Sequence, residues 1–374
     1  MGVVGWDKLP PKASEQKKET VPFLKVGQPI RKEKVLQFDA GGGAGQPALM
    51  RVLVTGAFGR LGQEGVERLL EEGHSVIAFD VPNRRNQREA RRFAGRVKTV
   101  WGDIRSPEDI GPCVEESDAI IHNAGILAPA SESCPDLAYA VNVGGTKNIL
   151  DAMMRMEMPP VVVFASSLSV CGPRVPGGPP LTGADSTVPT DNYTSNKAEC
   201  EQLLQQSGLP YVIFRIGVSV GVKAAAGDLS PDVFRVLFSI NPDTRMEWVH
   251  PQDVALAQVR AIGTSAAFGK TLMIGGGQSC RLTFRDFYGA MFDATGVGRF
   301  PPEAYGGGEY YCDWLDTDES QALLGYQRTS FETFIAQLRK ASRFTRPLVR
   351  MLSPLIRWFM LRSSDAWQAR NGRA

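Results

Sequence analysis

Residues 51–62 constrain this chain more than any other segment, because five strand-favouring residues (Arg51 to Thr55) run straight into three glycines spaced by two residues each, Gly56, Gly59 and Gly62. A buried strand, a glycine turn and a helix opening near Arg60 form the order used by dinucleotide pockets. The helix N-terminus offers unpaired N–H groups and a partial positive charge to a pyrophosphate, and glycines keep side chains out of its way. In that order Gly56 permits the sharp turn, Gly59 lets the backbone approach a ligand, and Gly62 lets helix and strand pack closely.

The flanking residues support this reading. The helix carries Leu61, Val66, Leu69 and Leu70 on one stripe, and Gly73 stands where a C-terminal cap belongs. A second apolar run, 75–79, then ends on Asp80, 24 residues after Gly56. A carboxylate at the tip of the second strand accepts hydrogen bonds from adenosine ribose hydroxyls and repels a 2′-phosphate. That favours NAD, while Arg84 and Arg85 close by keep NADP in play. The competing reading of Asp80 is a plain helix cap.

A chain of 374 residues with 43% hydrophobic content has ample material for a soluble core. A net charge of +2 gives no field that would gather nucleic acid. Six scattered cysteines without a C-x-x-C pair read as reduced thiols of a cytoplasmic protein, and three histidines without ligand spacing argue against a metal centre.

Organisation changes at residue 50. Positions 1–49 mix lysines, acids and prolines and close in a glycine run, which reads as a flexible arm or an upstream extension before Met50. From there to 342, apolar runs alternate with helical patterns. Strands are expected at 51–55, 75–80, 97–101, 118–122, 161–166 and 210–216, and helices at 60–72, 84–94, 107–116, 136–156 and 193–207. This is the signature of an α/β fold with a doubly wound parallel sheet, the Rossmann arrangement. Past Gly217 the rhythm loosens, with helices expected near 231–239, 252–263, 283–295, 317–324 and 330–342; residues 217–342 would form a small substrate-binding region. The tail, 343–374, is basic and amphipathic, so it suits contact with an anionic membrane surface or packing on the protein body, while Pro347, Pro354 and the arginines exclude a spanning helix.

Tyr193 and Lys197 stand four apart at the start of an expected helix, hence on one face. A phenol with its ordinary pKa near ~10 becomes a useful base once cations stabilise its phenolate. Lys197 is one candidate cation and a nicotinamide ring another. Ser167, closing the apolar strand after Ser166, would place a hydroxyl at the carboxyl edge of the sheet to bind a reacting oxygen; satisfaction of the strand end by the same hydroxyl is the structural alternative.

Taken in order, Gly56-Ala57-Phe58-Gly59-Arg60-Leu61-Gly62, Asp80, Gly102-Asp103-Ile104, His122-Asn123-Ala124-Gly125, Asn142, Ser167, the Tyr193/Lys197 pair and Trp248 to Ala255 resemble the extended short-chain dehydrogenase/reductase family, over about residues 50–342. The resemblance implies an NAD-dependent enzyme of the epimerase/dehydratase type, with Ser167, Tyr193 and Lys197 catalytic. Gly56, Phe58, Gly59, Arg60, Leu61, Gly62, Asp80, Asp103, Ile104, Asn123, Ala124, Gly125, Asn142, Tyr193 and Lys197 would then contact the cofactor. It also implies a homodimer through helices near 107–116 and 136–156, and structural roles for Asp253, His122 and His250. Two departures stand out: Cys171 replaces a common tyrosine, and Leu168 and Ser169 replace the acidic pair of dehydratases. The short stretch from Val218 to Trp248 suits a substrate smaller than a nucleotide sugar. The resulting expectation is interconversion of a secondary alcohol and a ketone on a small hydroxyl or keto substrate. A sugar epimerase and a non-catalytic nucleotide-binding scaffold are the alternatives.

Overall fold

The computed structural model describes residues 49–174, 177–222 and 231–372. The arm expected over 1–49 therefore lies, Leu49 excepted, outside the described residues. β1 (Arg51–Thr55), β2 (Ser75–Asp80), β3 (Lys98–Trp101), β4 (Ala119–His122), β5 (Val161–Ser167) and β6 (Tyr211–Ile216) fall within a residue or so of the expected runs. They pair in parallel in the order β3-β2-β1-β4-β5-β6, which the sequence pattern left without its last member, β8 (Lys270–Ile274), on the far edge. Val52, Leu53 and Val54 are fully buried, as a central strand covered on both faces requires.

Helices cover both faces. α1 (Arg60–Glu71) turns Gly62, Gly65, Val66 and Leu69 inward and packs on α9 (Pro251–Ile262). α2 (Arg84–Ala90) follows β2, and its N-cap is the Asn83 side chain, which accepts from the Asn86 N–H; Asp80 is not the cap. On the opposite face lie α3 (Pro107–Glu115), the short α4 (Ala130–Ser133) and α5 (Pro135–Tyr139), α6 (Gly145–Met153) and α7 (Asn192–Gln206). The single helix expected over 136–156 is α5 and α6 joined by one π-helical turn, Ala140–Gly144. Sheet order reverses between β1 and β4, so the carboxyl ends of the strands open a crevice there.

A second core sits beyond β6. It gathers α8 (Pro231–Ser239), α10 (Phe284–Thr295) and α12 (Phe331–Ala341) around a two-stranded antiparallel pair, β7 (Arg245–Glu247) with β9 (Arg281–Thr283), while α11 (Asp318–Leu324) packs Leu324 into the first core. Trp248 anchors it, fully buried and stacked on Phe334 at 4.6 Å. The tail forms α13 (Arg346–Leu361), continuous through Pro354, and α14 (Asp365–Arg370).

Candidate active site

The glycine turn has the shape its sequence demands. Gly56 has φ +64°, and a Cβ there would stand 2.9 Å from the Ala124 backbone; at Gly62 it would stand 2.1 Å from the Gly56 carbonyl oxygen. Gly59 begins α1 with no side chain capping the helix, so the first-turn N–H groups of Arg60 and Leu61 are not covered by a capping side chain. Phe58 behaves differently from its neighbours. Its ring is fully buried, 5.2 Å from Trp101 and 6.3 Å from Phe93, and its N–H donates to the Asp80 carboxylate at 2.9 Å.

Asp80 thus ties the turn to β2. Its other oxygen accepts from the Val81 N–H and the Asn86 amide, both at 2.8 Å. Burial pushes its pKa up, against those N–H donors and the nearby Arg85 charge. The Asp103 carboxylate is gripped by the Arg105 guanidinium, and the Ile104 side chain is buried against Gly145. The Asn123 amide exchanges hydrogen bonds with Gln258 of α9, 135 residues away. Asn142 lies in the π turn, where its amide accepts from the Ile126 N–H at 2.7 Å and donates to the Ile126 carbonyl at 3.0 Å. It fixes the chain just beyond Ala124 and Gly125. A Cβ on Gly125 would come within 3.7 Å of Lys197 Nζ, so the glycine turn side and the α7 side meet at this point.

α7 presents the chemistry. Asp191 and Thr194 form a capping box, and the Glu132 carboxylate of α4 accepts from the N–H groups of Asn192 and Tyr193. Neither α4 nor Glu132 was visible as a functional element in the sequence; a short helix with no apolar period leaves no signal. Tyr193 stands beside Ser167, whose Oγ lies 2.7 Å from Ser169 Oγ. The phenol's pKa is pushed up to about 12, chiefly by burial; the neighbouring Ser167 hydroxyl pulls it down and the Asp191 charge pushes it further up. At neutral pH Tyr193 is therefore a phenol, not a phenolate. Lys197 Nζ donates to the Ala165 carbonyl at 2.6 Å and sits 4.5 Å above the Phe164 ring, and burial lowers its pKa to about 8.

Under this site lies a buried ion pair that the sequence did not announce. Arg215 of β6 donates to both oxygens of Glu201 on α7, and Ser166 donates to the same carboxylate at 2.5 Å. Both partners are almost fully buried, so the pair fixes the register of α7 over β5 and β6. Cys171 is buried beside Arg215 instead of lining a cleft. Asp253, at the first turn of α9, accepts from the N–H groups of Arg328 and Thr329. His250 caps the same helix.

The model of the 3-beta hydroxysteroid dehydrogenase/isomerase family matches residues 53–209, a span that holds the glycine turn, Asp80, Asn142, Ser167, Tyr193 and Lys197. Over that span the chain is similar to this family of dehydrogenases. The chain is 30% identical over 168 residues to 3 beta-hydroxysteroid dehydrogenase type 7 of Rattus norvegicus, covering 43% of this chain and 49% of that protein. It is 35% identical over 172 residues to the 3-beta-hydroxysteroid dehydrogenase of Mycolicibacterium neoaurum, covering 43% of this chain and 44% of the relative. The chain thus spans just under half the length of these relatives. A crystal structure of dTDP-glucose 4,6-dehydratase from Bacillus anthracis in complex with NAD superposes with a TM-score of 0.66 at 18% identity, over 80% of this chain and 98% of that one. That likeness shows a shared fold over four fifths of the chain.

Proposed function

We propose that this protein is an NAD-dependent oxidoreductase that interconverts a secondary alcohol and a ketone. The observation that carries the reading is the placement of Ser167 at the carboxyl edge of the sheet beside Tyr193, one helical turn from the buried Lys197. The glycine turn fits a dinucleotide: side chains at Gly56 or Gly62 would collide with backbone, and α1 opens with no capping side chain. Gly56, Gly59, Arg60, Leu61 and Gly62 would hold the pyrophosphate, Asp80 the adenosine ribose, and Lys197 the nicotinamide ribose. Phe58, Ile104 and Asn123 would contribute through backbone position, since their side chains are turned elsewhere; Asp103, Ala124, Gly125 and Asn142 complete the wall. A nicotinamide dinucleotide supplies the hydride acceptor or donor when bound.

The chain's own residues do the rest. In the reducing direction Tyr193 is already in the needed state, a phenol whose proton passes to the carbonyl oxygen as charge develops there, while the Ser167 hydroxyl donates to that oxygen and steadies it. In the oxidising direction the same phenol must first be lowered from about 12. The Lys197 charge does not achieve this alone, and a second positive charge in the cleft supplies the remainder. The hydroxysteroid dehydrogenases among the relatives carry a secondary alcohol in their names, which supports this substrate class. The reading includes a homodimer through α3 and the α5–α6 helix pair. Six unpaired thiols support a reducing, cytoplasmic setting.

The test is a panel of secondary alcohols, 3β-hydroxysteroids among them, assayed with NAD and with NADP by nicotinamide absorbance. Turnover with NAD should fall roughly 10²- to 10⁴-fold in Tyr193→Phe while nucleotide binding is unchanged. An unchanged rate in that variant refutes the reading. Tightly retained NAD with no net reduction of it points instead to epimerisation.

A further inference from the structure

Independently of the reaction, we infer that α13 is an interfacial helix that docks this protein on an anionic membrane surface, with arginines beside it receiving lipid phosphates. Ile356, Met360 and Leu361 turn toward the second core, and the Arg357 guanidinium lies 4.7 Å over the Phe300 ring and donates to the Arg299 carbonyl. This side pins the helix to the body. The opposite side is the anomaly. Leu348, Met351, Leu352, Leu355 and Phe359 of α13, spaced at helical intervals, form one exposed stripe, with Phe344 exposed in the turn before it. Phe344 is 80% exposed, Met351 70% and Leu355 62%. A surface helix normally reverses this pattern, with charge outward.

Charge complementarity names the occupant. Between Thr333 and Ser364 the chain has seven basic residues (Arg339, Lys340, Arg343, Arg346, Arg350, Arg357 and Arg362) and no acid. Among the described residues none of the seven forms a salt bridge. Four of them, Arg339, Arg346, Arg350 and Arg357, line a cleft of 680 Å³ between α13 and the end of α10. The one acid in that cleft, Asp293, is already paired with Arg299 at 2.7 Å. The Nε of Arg346 is buried with no hydrogen-bond partner. Apolar side chains facing outward beside a cluster of guanidinium groups that have no carboxylate partner match the two layers of an anionic bilayer surface, acyl chains below phosphates. A soluble acidic protein would satisfy the arginines and leave the apolar stripe in water. No described helix is long and apolar enough to cross a membrane, so the contact is parallel to the surface.

The experiment is flotation of the full chain with vesicles of phosphatidylcholine alone and of phosphatidylcholine mixed with phosphatidylglycerol, at low and high salt. Binding to the mixed vesicles, absent with phosphatidylcholine alone and weakened by salt, is the expected result. Leu348→Ser/Met351→Ser/Leu355→Ser touches only exposed positions and should weaken partitioning about tenfold or more. Arg339→Gln/Arg350→Gln should weaken it and flatten its salt dependence, and added inorganic phosphate should not reproduce the effect of the mixed vesicles. Equal binding to both vesicle types, or binding unaffected by either variant, overturns the inference. So does a dimer in light scattering that the triple serine variant dissociates while no vesicle is bound, because a second copy would then own the stripe. Dehydrogenase activity is read on the same samples and bears only on the catalytic reading.

Discussion

His122 shows how much the cleft depends on one neutral side chain. It is fully buried at the end of β4, with Nδ1 2.7 Å from Thr55 Oγ1 and Nε2 3.0 Å from Thr146 Oγ1. Thr146 donates its hydroxyl to the Asn142 carbonyl at 2.6 Å, which leaves it to accept from the His122 Nε2–H. Thr55 accepts from the Ala124 N–H and donates to Nδ1. The chain from Ala124 through His122 to Asn142 therefore runs in one direction and assigns the tautomer. Burial, reinforced by the Lys197 charge, lowers the His122 pKa to about 3. The sign of the consequence follows from proton counts: below the ordinary pKa near ~6.5 the unfolded chain takes a proton the native state refuses, so stability falls as pH drops from there toward 3, at up to about 1.4 kcal/mol per pH unit. Urea unfolding at about pH 7 and about pH 5 should show a steeper loss in the wild type than in His122→Gln, which is weaker overall but has no proton to gain. Identical slopes would mean that His122 titrates normally.

At the scale of elements, the first helix carries a paired prediction. Gly62→Ala would press a Cβ against the Gly56 oxygen and the Ala57 backbone, atoms that cannot move aside without opening the turn. Expected are a loss of about 1–3 kcal/mol and at least roughly tenfold weaker nucleotide binding by titration calorimetry. Gly65→Ala, one turn on, meets nothing closer than Gln258 Oε1 at 3.9 Å. It should stabilise the protein by up to about 1 kcal/mol, because alanine loses less entropy in a helix. The same helix explains what was legible in the sequence. β1, α1, β2 and α7 announce themselves by apolar period and glycine, and Ser167 and Tyr193 could be found because each sits at the end of such an element. β7 and β9 are three residues long, too short for any period, and β8 has three apolar residues after Lys270 and Thr271, a run with no alternation. The π turn at Asn142 splits what reads as one continuous helix, and the residues that fix the site from a distance, Gln258, Glu132 and the Glu201–Arg215 pair, owe their places to tertiary contacts across tens of residues. Pro354 lies inside α13, where local rules expect a break; the helix continues because its Ile356 and Met360 side is held by the second core.

For the whole molecule, the question is how the second core reaches the first. The segment between β5 and α7 is clamped by the stretch after residue 308: the Leu181 N–H donates to the Trp314 carbonyl at 2.8 Å, and the Asp316 N–H to the Leu181 carbonyl at 2.7 Å. That stretch is itself held by two buried carboxylates. Glu247 accepts from Arg281 and from the N–H groups of Gly277 and Leu315. Asp313 accepts from Arg245 at 2.7 and 2.8 Å and from the Trp314 N–H. Arg245 also donates to the Gly178 carbonyl and lies 4.6 Å over the Trp314 ring, so one guanidinium ties the segment before α7 to the stretch after residue 308. Asp313→Ala would leave that cation without its carboxylate. The cost should be about 2–3 kcal/mol, short of a fully buried pair because Arg245 keeps some solvent access. If the clamp positions substrate, the damage must be uneven: hydrogen exchange should rise between residues 177 and 191 and spare β1 and β4, and KM should rise while kcat changes little, since Ser167, Tyr193 and Lys197 stand on β5 and α7, which the clamp does not hold. A matched fall in kcat with KM unchanged would place Asp313 in support of the chemistry itself, and uniform exchange across the sheet would make it a stabiliser of the entire fold.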